Sequence, residues 1–246
     1  MSLPKVACIV QARTGSTRLP GKVLRPLAGR PMLSHLIERL KKAATLETIV
    51  IATTDLPQDN PIAVLAEEHG VARYRGSQEN VLARYAGAAE MTGAEVVVRI
   101  TSDCPLIDPV TVDNVVRYFF AHNYDYVFAG VNSGFPRGLD TEVFTRKALM
   151  KAHRQAEDAP SREHVTLYMH RNPEDFRTAS YPAPPELHHP DWRLCVDEED
   201  DFRLIEEIYT RLYRPDSLID FRDVVRLLES EPQLLRINAH VRQKAV

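Results

Sequence analysis

Basic and hydroxyl side chains are concentrated in a short segment that follows the first apolar run of the chain. Residues 12–22 read ARTGSTRLPGK and combine two glycines with the cations Arg13, Arg18 and Lys22. Glycines let backbone amides turn towards an anion, and basic side chains supply the opposing charge. Charge-assisted hydrogen bonds contribute about 1.5–3 kcal/mol each, so several together could hold a triphosphate. This segment, called the basic loop below, is therefore a candidate phosphate-binding loop.

The basic loop differs from two familiar phosphate-binding sequences. A Walker loop has four residues between its glycines and a hydroxyl residue after the lysine. Here five residues separate Gly15 from Gly21, and Val23 follows the lysine. The dinucleotide-binding pattern GxGxxG does not occur in the chain. A solvated basic surface loop is the alternative interpretation, and the position directly after an apolar strand favours phosphate binding instead.

Two aspartates that follow apolar runs are candidate metal ligands. Asp103 comes after the run EVVVRIT, and Asp197 comes after the predicted strand at 192–196. Mg²⁺ in a phosphate-transfer site needs only one or two carboxylates, because phosphates and water complete its shell. Each residue also has a structural alternative. Asp103 is a common residue type for the turn before Cys104, and Asp197 could cap the helix that follows it.

Strand and helix patterns alternate through the first half of the chain. The strands and helices that they predict must position the basic loop and Asp103. Compact apolar runs predict strands at 5–11, 48–53, 71–74 and 95–101. Helical spacing follows each run, at about 33–40, 60–70, 79–91 and from 109 onwards. Four such units predict an α/β fold with a mostly parallel sheet and helices on both faces. Because ligands bind beyond the carboxyl ends of parallel strands, the loops after Gln11, Tyr74 and Thr101 should converge on one crevice.

The second half of the chain shows a looser alternation. The patterns predict strands at 124–128, 139–144 and 192–196, and helices at 145–157, at 161–170 and after Asp197. We interpret residues 1–246 as one domain. Within it, the segment 129–190 is predicted to be an insertion that faces the substrate and takes part in dimerisation.

Composition excludes several classes of protein. The 246 residues are 44% hydrophobic and 26% charged, with a formal charge of −3, which is typical of a globular protein and argues against a dedicated nucleic-acid binder. Apolar runs are too short for a membrane span or a signal-peptide core. Three cysteines without a CxxC pair give no support to a disulfide framework or a structural zinc site. We therefore expect a cytoplasmic protein without nucleic-acid or membrane partners.

Six sequence motifs together resemble a known enzyme family. In chain order they are QARTGSTRLPGKVL at 11–24, RGSQENVLARY at 75–85, VRITSDCPLID at 98–108, FPRGLD at 135–140, REHV at 162–165 and VDEED at 196–200. They are similar to the acylneuraminate and 3-deoxy-manno-octulosonate cytidylyltransferases, with the closest similarity to the spore-coat-polysaccharide branch. The resemblance implies a Rossmann-like nucleotidyltransferase fold, Mg²⁺ dependence and a homodimer. It also implies transfer of CMP from CTP to a sugar or sugar acid, with release of pyrophosphate.

The resemblance and the predicted crevice together assign roles to individual residues. Arg13, Lys22 and Asp103 are the expected catalytic residues, and Asp103 and Asp197 are the expected metal ligands. Nucleotide contacts are expected from residues of the basic loop and of the second and third motifs: Ala12, Arg13, Gly15, Ser16, Thr17, Arg18, Gly21, Lys22, Gly76, Ser77, Asn80, Arg84 and Thr101. The segment that should cover the crevice supplies the acceptor-side candidates: Arg137, Gly138, Asp140, Glu142, Arg162 and His164.

Some of these residues have structural alternatives, and the overall function has competitors. Asn80 could be a helix cap, Arg84 an exposed helical arginine and His164 an ordinary hydrogen-bonded helix residue. A glycosyltransferase of the related nucleotide-sugar-binding fold would normally show an Asp-x-Asp pair, where this chain has Thr101-Ser102-Asp103. A guanylyl- or other nucleotidyltransferase is a further alternative, as is a nucleotide-binding regulator without turnover.

Overall fold

The computed structural model describes residues 4–244 and shows alternating strands and helices. The strands are β1 (Val6–Gln11), β2 (Pro26–Leu27), β3 (Arg30–Pro31), β4 (Thr48–Thr54), β5 (Ala72–Gly76), β6 (Val96–Thr101), β7 (Tyr126–Ala129), β8 (Thr141–Thr145) and β9 (Thr178–Ser180). The helices are α1 (Met32–Leu40), α2 (Asn60–Glu68), α3 (Val81–Thr92), α4 (Pro109–Ala121), α5 (Arg146–Gln155), α6 (Ala159–Glu163), α7 (Leu167–Arg171), α8 (Glu199–Leu212) and α9 (Phe221–Ser230).

Seven strands form the central sheet, in the order β5-β4-β1-β6-β8-β7-β9. The pairs β5-β4, β4-β1 and β1-β6 are parallel, and so is β7-β9, whereas β8 runs antiparallel to both of its neighbours. The prediction of an α/β fold with a mostly parallel sheet is confirmed.

Helices cover both faces of the sheet, which explains why the central strands β1, β4 and β6 are nearly continuous apolar runs. Along β1, Cys8 and Val10 pack in one core with Leu33 and Leu36 of α1. The intervening Ile9 packs in a second core on the opposite face, with residues of α3. This alternation follows from the two-residue period of a strand.

The strand register brings three carboxyl ends to one edge of the sheet. Gln11, the last residue of β1, pairs with Ala52 on β4 and with Thr101 at the end of β6. The basic loop that follows β1 therefore begins beside the loop that carries Asp103.

Two predicted elements of the second half are wrong. Residues 192–196 do not form a strand: Arg193 makes a single bridge to Arg137, and the chain otherwise follows the edge of the site. The predicted helix at 161–170 is two short helices, α6 and α7, because the backbone leaves helical geometry at His164 (φ −104°, ψ 83°). The segment 129–190 also contributes β8 and β9 to the central sheet, besides the helices near the site.

Within residues 4–244, none of the helices has the length and hydropathy that crossing a bilayer requires.

Candidate active site

The basic loop is fixed by a buried carboxylate. The backbone amide and the hydroxyl of Thr14 both donate to Oδ1 of Asp59, at 2.8 and 2.6 Å, and Thr54 donates to Oδ2. Asp59 is fully buried. The loop closes where the amide of Gly21 donates to the carbonyl of Thr14 at 2.9 Å, with Gly21 at a φ of 70° that favours glycine. These contacts hold the loop in one conformation beside the sheet edge.

Lys22 joins the basic loop to the two predicted metal ligands. Its Nζ donates to Oδ2 of Asp103 at 3.3 Å, to Oδ1 of Asp197 at 3.0 Å and to the carbonyl of Val196 at 2.6 Å. Burial alone would lower the pKa of Lys22, but the carboxylates of Asp103 and Asp197 outweigh it and raise the pKa. The ammonium group therefore stays charged and offsets part of the negative charge of the two carboxylates.

Asp197 is held by two further cations. Arg18 approaches its Oδ1 at 2.9 Å, and Arg193 approaches its Oδ2 at 2.7 Å. Burial alone would raise the pKa of Asp197, but Lys22, Arg18 and Arg193 together lower it. The carboxylate is thus ionised although only 12% of its side chain is exposed.

The expectation that Asp197 could cap the following helix is wrong. Helix α8 begins at Glu199 with Glu198 as its N-cap. Asp201 in the first turn accepts from the backbone amides of Asp197 and Glu198, at 3.0 and 3.1 Å. Because Asp201 satisfies these amides, the Asp197 side chain is left to face Lys22.

The carboxylate pair fits a small divalent cation. Asp103 and Asp197 place oxygen atoms around one point, since both lie within 3.3 Å of the same Lys22 nitrogen. Carboxylate oxygens are the ligands that Mg²⁺ prefers, and two suffice where phosphates supply the rest. Among residues 4–244, no group of three or more His, Cys, Asp or Glu side chains forms a metal cage. The chemistry of this donor set therefore suits a metal that arrives with phosphate.

These residues line one cavity at the carboxyl edge of the sheet. Its lining includes eleven of the predicted site residues, which are Ala12, Arg13, Ser16, Thr17, Arg18, Lys22, Arg84, Thr101, Asp103, His164 and Asp197. Within the described chain, the other predicted residues do not line it, namely Gly15, Gly21, Gly76, Ser77, Asn80, Arg137, Gly138, Asp140, Glu142 and Arg162.

The α3 residues occupy the cavity wall next to β5. Asn80 is the N-cap of α3, as its alternative role predicts, and its Oδ1 accepts from the amide of Ala83 at 2.9 Å. Arg84 is not the exposed helical arginine of the alternative interpretation, because only 2% of the residue is exposed. Burial lowers its pKa. Gly76 at the end of β5 lies against it, since a Cβ there would be 3.2 Å from Arg84 Cγ.

Glu142, an acceptor-side candidate, belongs to a polar cluster inside the sheet. It pairs with Arg99 and accepts from the hydroxyls of Tyr126 and Thr166, at 2.5 and 2.7 Å. Burial alone would raise the pKa of Glu142, but these partners, led by Arg99, lower it. Gln11, which lines the cavity, accepts from Arg99 Nε at 3.3 Å. Glu142 is therefore connected to the cavity by an ion pair to Arg99 and a hydrogen bond from Arg99 to Gln11.

Of the other acceptor-side candidates, only His164 lines the cavity, and the rest contact neighbouring backbone. The amide of Gly138 donates to Asp140 Oδ2 at 2.8 Å, and a Cβ at Gly138 would stand 2.6 Å from the backbone of Leu194. The amide of Arg137 donates to the carbonyl of Trp192, at 3.0 Å. Arg162 donates to the carbonyl of Ala156 at 3.3 Å. His164 does line the cavity, and burial lowers its pKa.

The sequence analysis missed several residues that shape the site. For Asp59, the sequence offered one indication of a role in the site, its position in the loop that follows an apolar strand. Arg193 and Asp201 brace Asp197, and their ion pair of 2.9 Å is visible only in the structure. Glu163 faces Arg13 across the cavity at 3.9 Å. Gln243 and Lys244 reach the cavity from the end of the described chain, where no pattern marked them.

Comparison with known proteins gives consistent matches. A family model for cytidylyltransferases matches residues 7–224. The chain is 40% identical over 243 residues to an uncharacterized protein of Methanocaldococcus jannaschii, covering 98% of this chain and 97% of that protein. It is 34% identical over 230 residues to the spore coat polysaccharide biosynthesis protein SpsF of Bacillus subtilis, covering 91% of this chain and 94% of that protein.

A solved structure matches over nearly the whole fold. A cytidylyltransferase from Leptospira borgpetersenii superposes with a TM-score of 0.89 at 29% identity, covering 99% of this chain and 100% of the other. The matched region contains the basic loop, both aspartates and the sheet edge that brings them together. This chain belongs to the cytidylyltransferase family and is a nucleotidyltransferase.

Proposed function

We propose that this protein is an Mg²⁺-dependent cytidylyltransferase that transfers CMP from CTP to a sugar or sugar acid and releases pyrophosphate. One observation carries the proposal: Lys22 of the basic loop contacts both Asp103 and Asp197 inside one cavity. A phosphate-binding loop and a carboxylate pair at the same point are what a metal-bound triphosphate requires. The similarity to the spore coat polysaccharide biosynthesis protein of Bacillus subtilis supports a role in the synthesis of a surface polysaccharide.

The proposed reaction asks for positioning more than for covalent chemistry. A hydroxyl oxygen of the acceptor attacks the α-phosphorus of CTP and loses its proton to solvent. The bond from the α-phosphorus to the bridging oxygen breaks, and pyrophosphate leaves with the electron pair. Arg13, Arg18 and Lys22 would hold the phosphate oxygens, where negative charge grows. Asp59 fixes the loop backbone at Thr14, next to Arg13, so the conformation of the loop is set before the nucleotide arrives.

Asp103 and Asp197 would hold the magnesium ion. When bound, Mg²⁺ neutralises phosphate charge and withdraws electron density from the reacting phosphorus. We propose Arg193 and Asp201 as positioning residues. Arg193 contacts Oδ2 of Asp197, the oxygen that Lys22 does not contact, and Asp201 pairs with Arg193 and accepts from the Asp197 amide.

On the acceptor side we propose contacts from Glu163 and His164. Both line the cavity at the end of α6, and Glu163 lies 3.9 Å from Arg13 of the basic loop. We propose that the remaining candidates support the acceptor side indirectly, without lining the cavity. They are Arg137, Gly138, Asp140, Glu142 and Arg162. As the family resemblance implies, we also propose a homodimer, which size-exclusion chromatography with light scattering would test.

The decisive assay is pyrophosphate release with each of the four nucleoside triphosphates, Mg²⁺ and a panel of sugars and sugar acids. Release that requires CTP, metal and an acceptor together supports the proposal. Tight CTP binding without turnover across the panel would favour a regulator. Turnover with UDP-sugars and none with CTP would favour a glycosyltransferase.

A further inference from the structure

The segment 238–244 follows the last helices and lies against the active site. Its residues Gln243 and Lys244 line the cavity that contains the carboxylate pair. Two side chains earlier in the segment are buried, since only 3% of Asn238 and 9% of Val241 are exposed. The segment is therefore packed onto the protein and reaches the cavity with Gln243 and Lys244.

Asn238 attaches the segment to the two residues that hold Asp197. Its Nδ2 donates to the carbonyl of Arg193 at 2.9 Å and to Oδ1 of Asp201 at 2.8 Å. Asp201 is fully buried and accepts from the amide of Asp197 at 3.0 Å. These hydrogen bonds fix the position of the segment relative to Arg193.

Gln243 completes the hydrogen bonds of the Arg193 guanidinium. Its Oε1 accepts from Nη1 of Arg193 at 2.8 Å. The other two nitrogens are held as well, because Nε donates to Asp201 Oδ1 at 2.9 Å and Nη2 donates to Asp197 Oδ2 at 2.7 Å. Since the three nitrogens lie in one rigid plane, the direction in which Nη2 meets Asp197 depends on the acceptor that Nη1 contacts.

We infer that Gln243 is a positioning residue for Asp197, the proposed metal ligand, and that it acts through the guanidinium of Arg193. This inference rests on the proposed function. Lys22 and Arg18 contact Oδ1 of Asp197, whereas Arg193 contacts Oδ2, so the orientation of the carboxylate depends on both sides. Loss of a direct partner of a metal ligand typically lowers metal affinity or activity 10–100-fold, and Gln243 lies one contact further out, so we expect a smaller effect of about 3-fold.

The test is Gln243→Leu, which removes the acceptor at an exposed position. Calorimetric titration measures the affinity for a non-hydrolysable CTP analogue, once with Mn²⁺ and once without metal. We expect the analogue to bind about 3-fold more weakly with Mn²⁺ and with unchanged affinity without metal, because the change acts on the metal ligand. The kcat for pyrophosphate release should fall by a similar factor, and the melting temperature should change little.

Three further variants separate this role from others. Gln243→Glu keeps an oxygen acceptor for Arg193, so the analogue with Mn²⁺ should bind as tightly as to the unaltered protein or more tightly. Arg193→Lys replaces the planar fork by a single ammonium group, and Gln243→Leu should have no further effect in that background. Arg242→Met changes an exposed neighbour that does not line the cavity and should alter none of these values.

Several results would overturn the inference. Equal losses of affinity with and without Mn²⁺ would make Gln243 a direct nucleotide contact, and unchanged affinities would remove it from the site. A loss in Gln243→Glu as large as that in Gln243→Leu, or an undiminished loss in the Arg193→Lys background, would exclude the route through Arg193. A marked fall in melting temperature would make Gln243 a structural residue. Failure of the proposed function is distinct, because the unaltered protein would then not bind the analogue.

Discussion

At the scale of single residues, Lys22 links the basic loop to the proposed metal site. Its ammonium group lies within 3.3 Å of both Asp103 and Asp197, so in the free protein it competes with a divalent cation for the same oxygens. Under the proposed function, we therefore expect the metal to enter together with a triphosphate, whose charge would draw Lys22 away from the carboxylates.

Lys22→Met tests this competition directly. Without the ammonium group, Asp103 loses the cation that contacts it and Asp197 keeps only Arg18 and Arg193. We therefore expect Mn²⁺ to bind the nucleotide-free variant at least 10-fold more tightly than it binds the unaltered protein. Electron paramagnetic resonance of free Mn²⁺ measures this. CTP should bind about 10-fold more weakly, because a charge-assisted hydrogen bond is lost. The matched control is Lys42→Met, at an exposed position. Equal Mn²⁺ affinities in variant and unaltered protein would contradict the competition.

Asp103→Asn removes charge at the proposed metal site with little change in shape. We expect kcat for pyrophosphate release to fall by about 100-fold or more, the scale seen when one preorganised electrostatic contact is lost. The melting temperature should change little, since Asp103 is partly exposed and Asp197 still pairs with Lys22. Turnover close to that of the unaltered enzyme would remove Asp103 from the catalytic set. Asp191→Asn, at an exposed position, serves as the control.

At the scale of elements, the basic loop depends on the turn after β4. Asp59→Asn weakens the acceptor for the Thr14 amide and hydroxyl and for the Thr54 hydroxyl. We expect the free energy of unfolding to fall by about 1–3 kcal/mol. CTP should also bind more weakly, although Asp59 itself does not line the cavity. Urea denaturation and calorimetry measure the two effects. If CTP affinity is preserved while stability falls, Asp59 holds the fold but not the loop conformation.

The first half of the fold was predictable from the sequence because its signals are local. Apolar runs with helical spacing between them predicted β1, β4, β5 and β6, and hence the edge where the basic loop and Asp103 meet. The position of β8 between β6 and β7 could not be predicted, since it depends on pairing between distant residues. Residues 192–196 look like a strand, but the Val196 carbonyl instead accepts from Lys22.

In the candidate site, too, local sequence signals were predictive and contacts between distant residues were not. Arg18, Lys22 and Asp103 were found through motif and topology. The anchoring of Thr14 by Asp59 spans 45 residues, and the bracing of Asp197 by Arg193 and Asp201 is set by the start of α8. The burial of Arg84, of which only 2% is exposed, depends on neighbouring elements, which no spacing in the sequence reveals.

At the scale of the whole molecule, buried histidines should make stability depend on pH. Only 3% of His35 is exposed, and its Nε2 lies 2.7 Å from the carbonyl of Leu27. Burial lowers the pKa of both His35 and His164. The unfolded chain therefore takes up protons more readily than the folded protein, and the free energy of unfolding should fall as the pH drops below about 6.5.

Urea denaturation at pH 7.5, 6.5 and 5.5 measures this dependence. His35→Gln should reduce the loss of stability between pH 7.5 and 5.5, because one group that binds protons preferentially in the unfolded chain is gone. The exposed His122→Gln is the control and should leave the loss unchanged. Stability that stays constant or rises towards pH 5.5 would show that the buried histidines do not govern this range.

The central claim is that the basic loop and the pair Asp103 and Asp197 hold one metal-bound triphosphate. A crystal structure with Mn²⁺ and a non-hydrolysable CTP analogue tests it most directly, because manganese scatters anomalously. We expect an anomalous peak in contact with both carboxylates, with Lys22 and Arg18 turned to the phosphate oxygens. A metal peak or a triphosphate located away from these residues would contradict the claim.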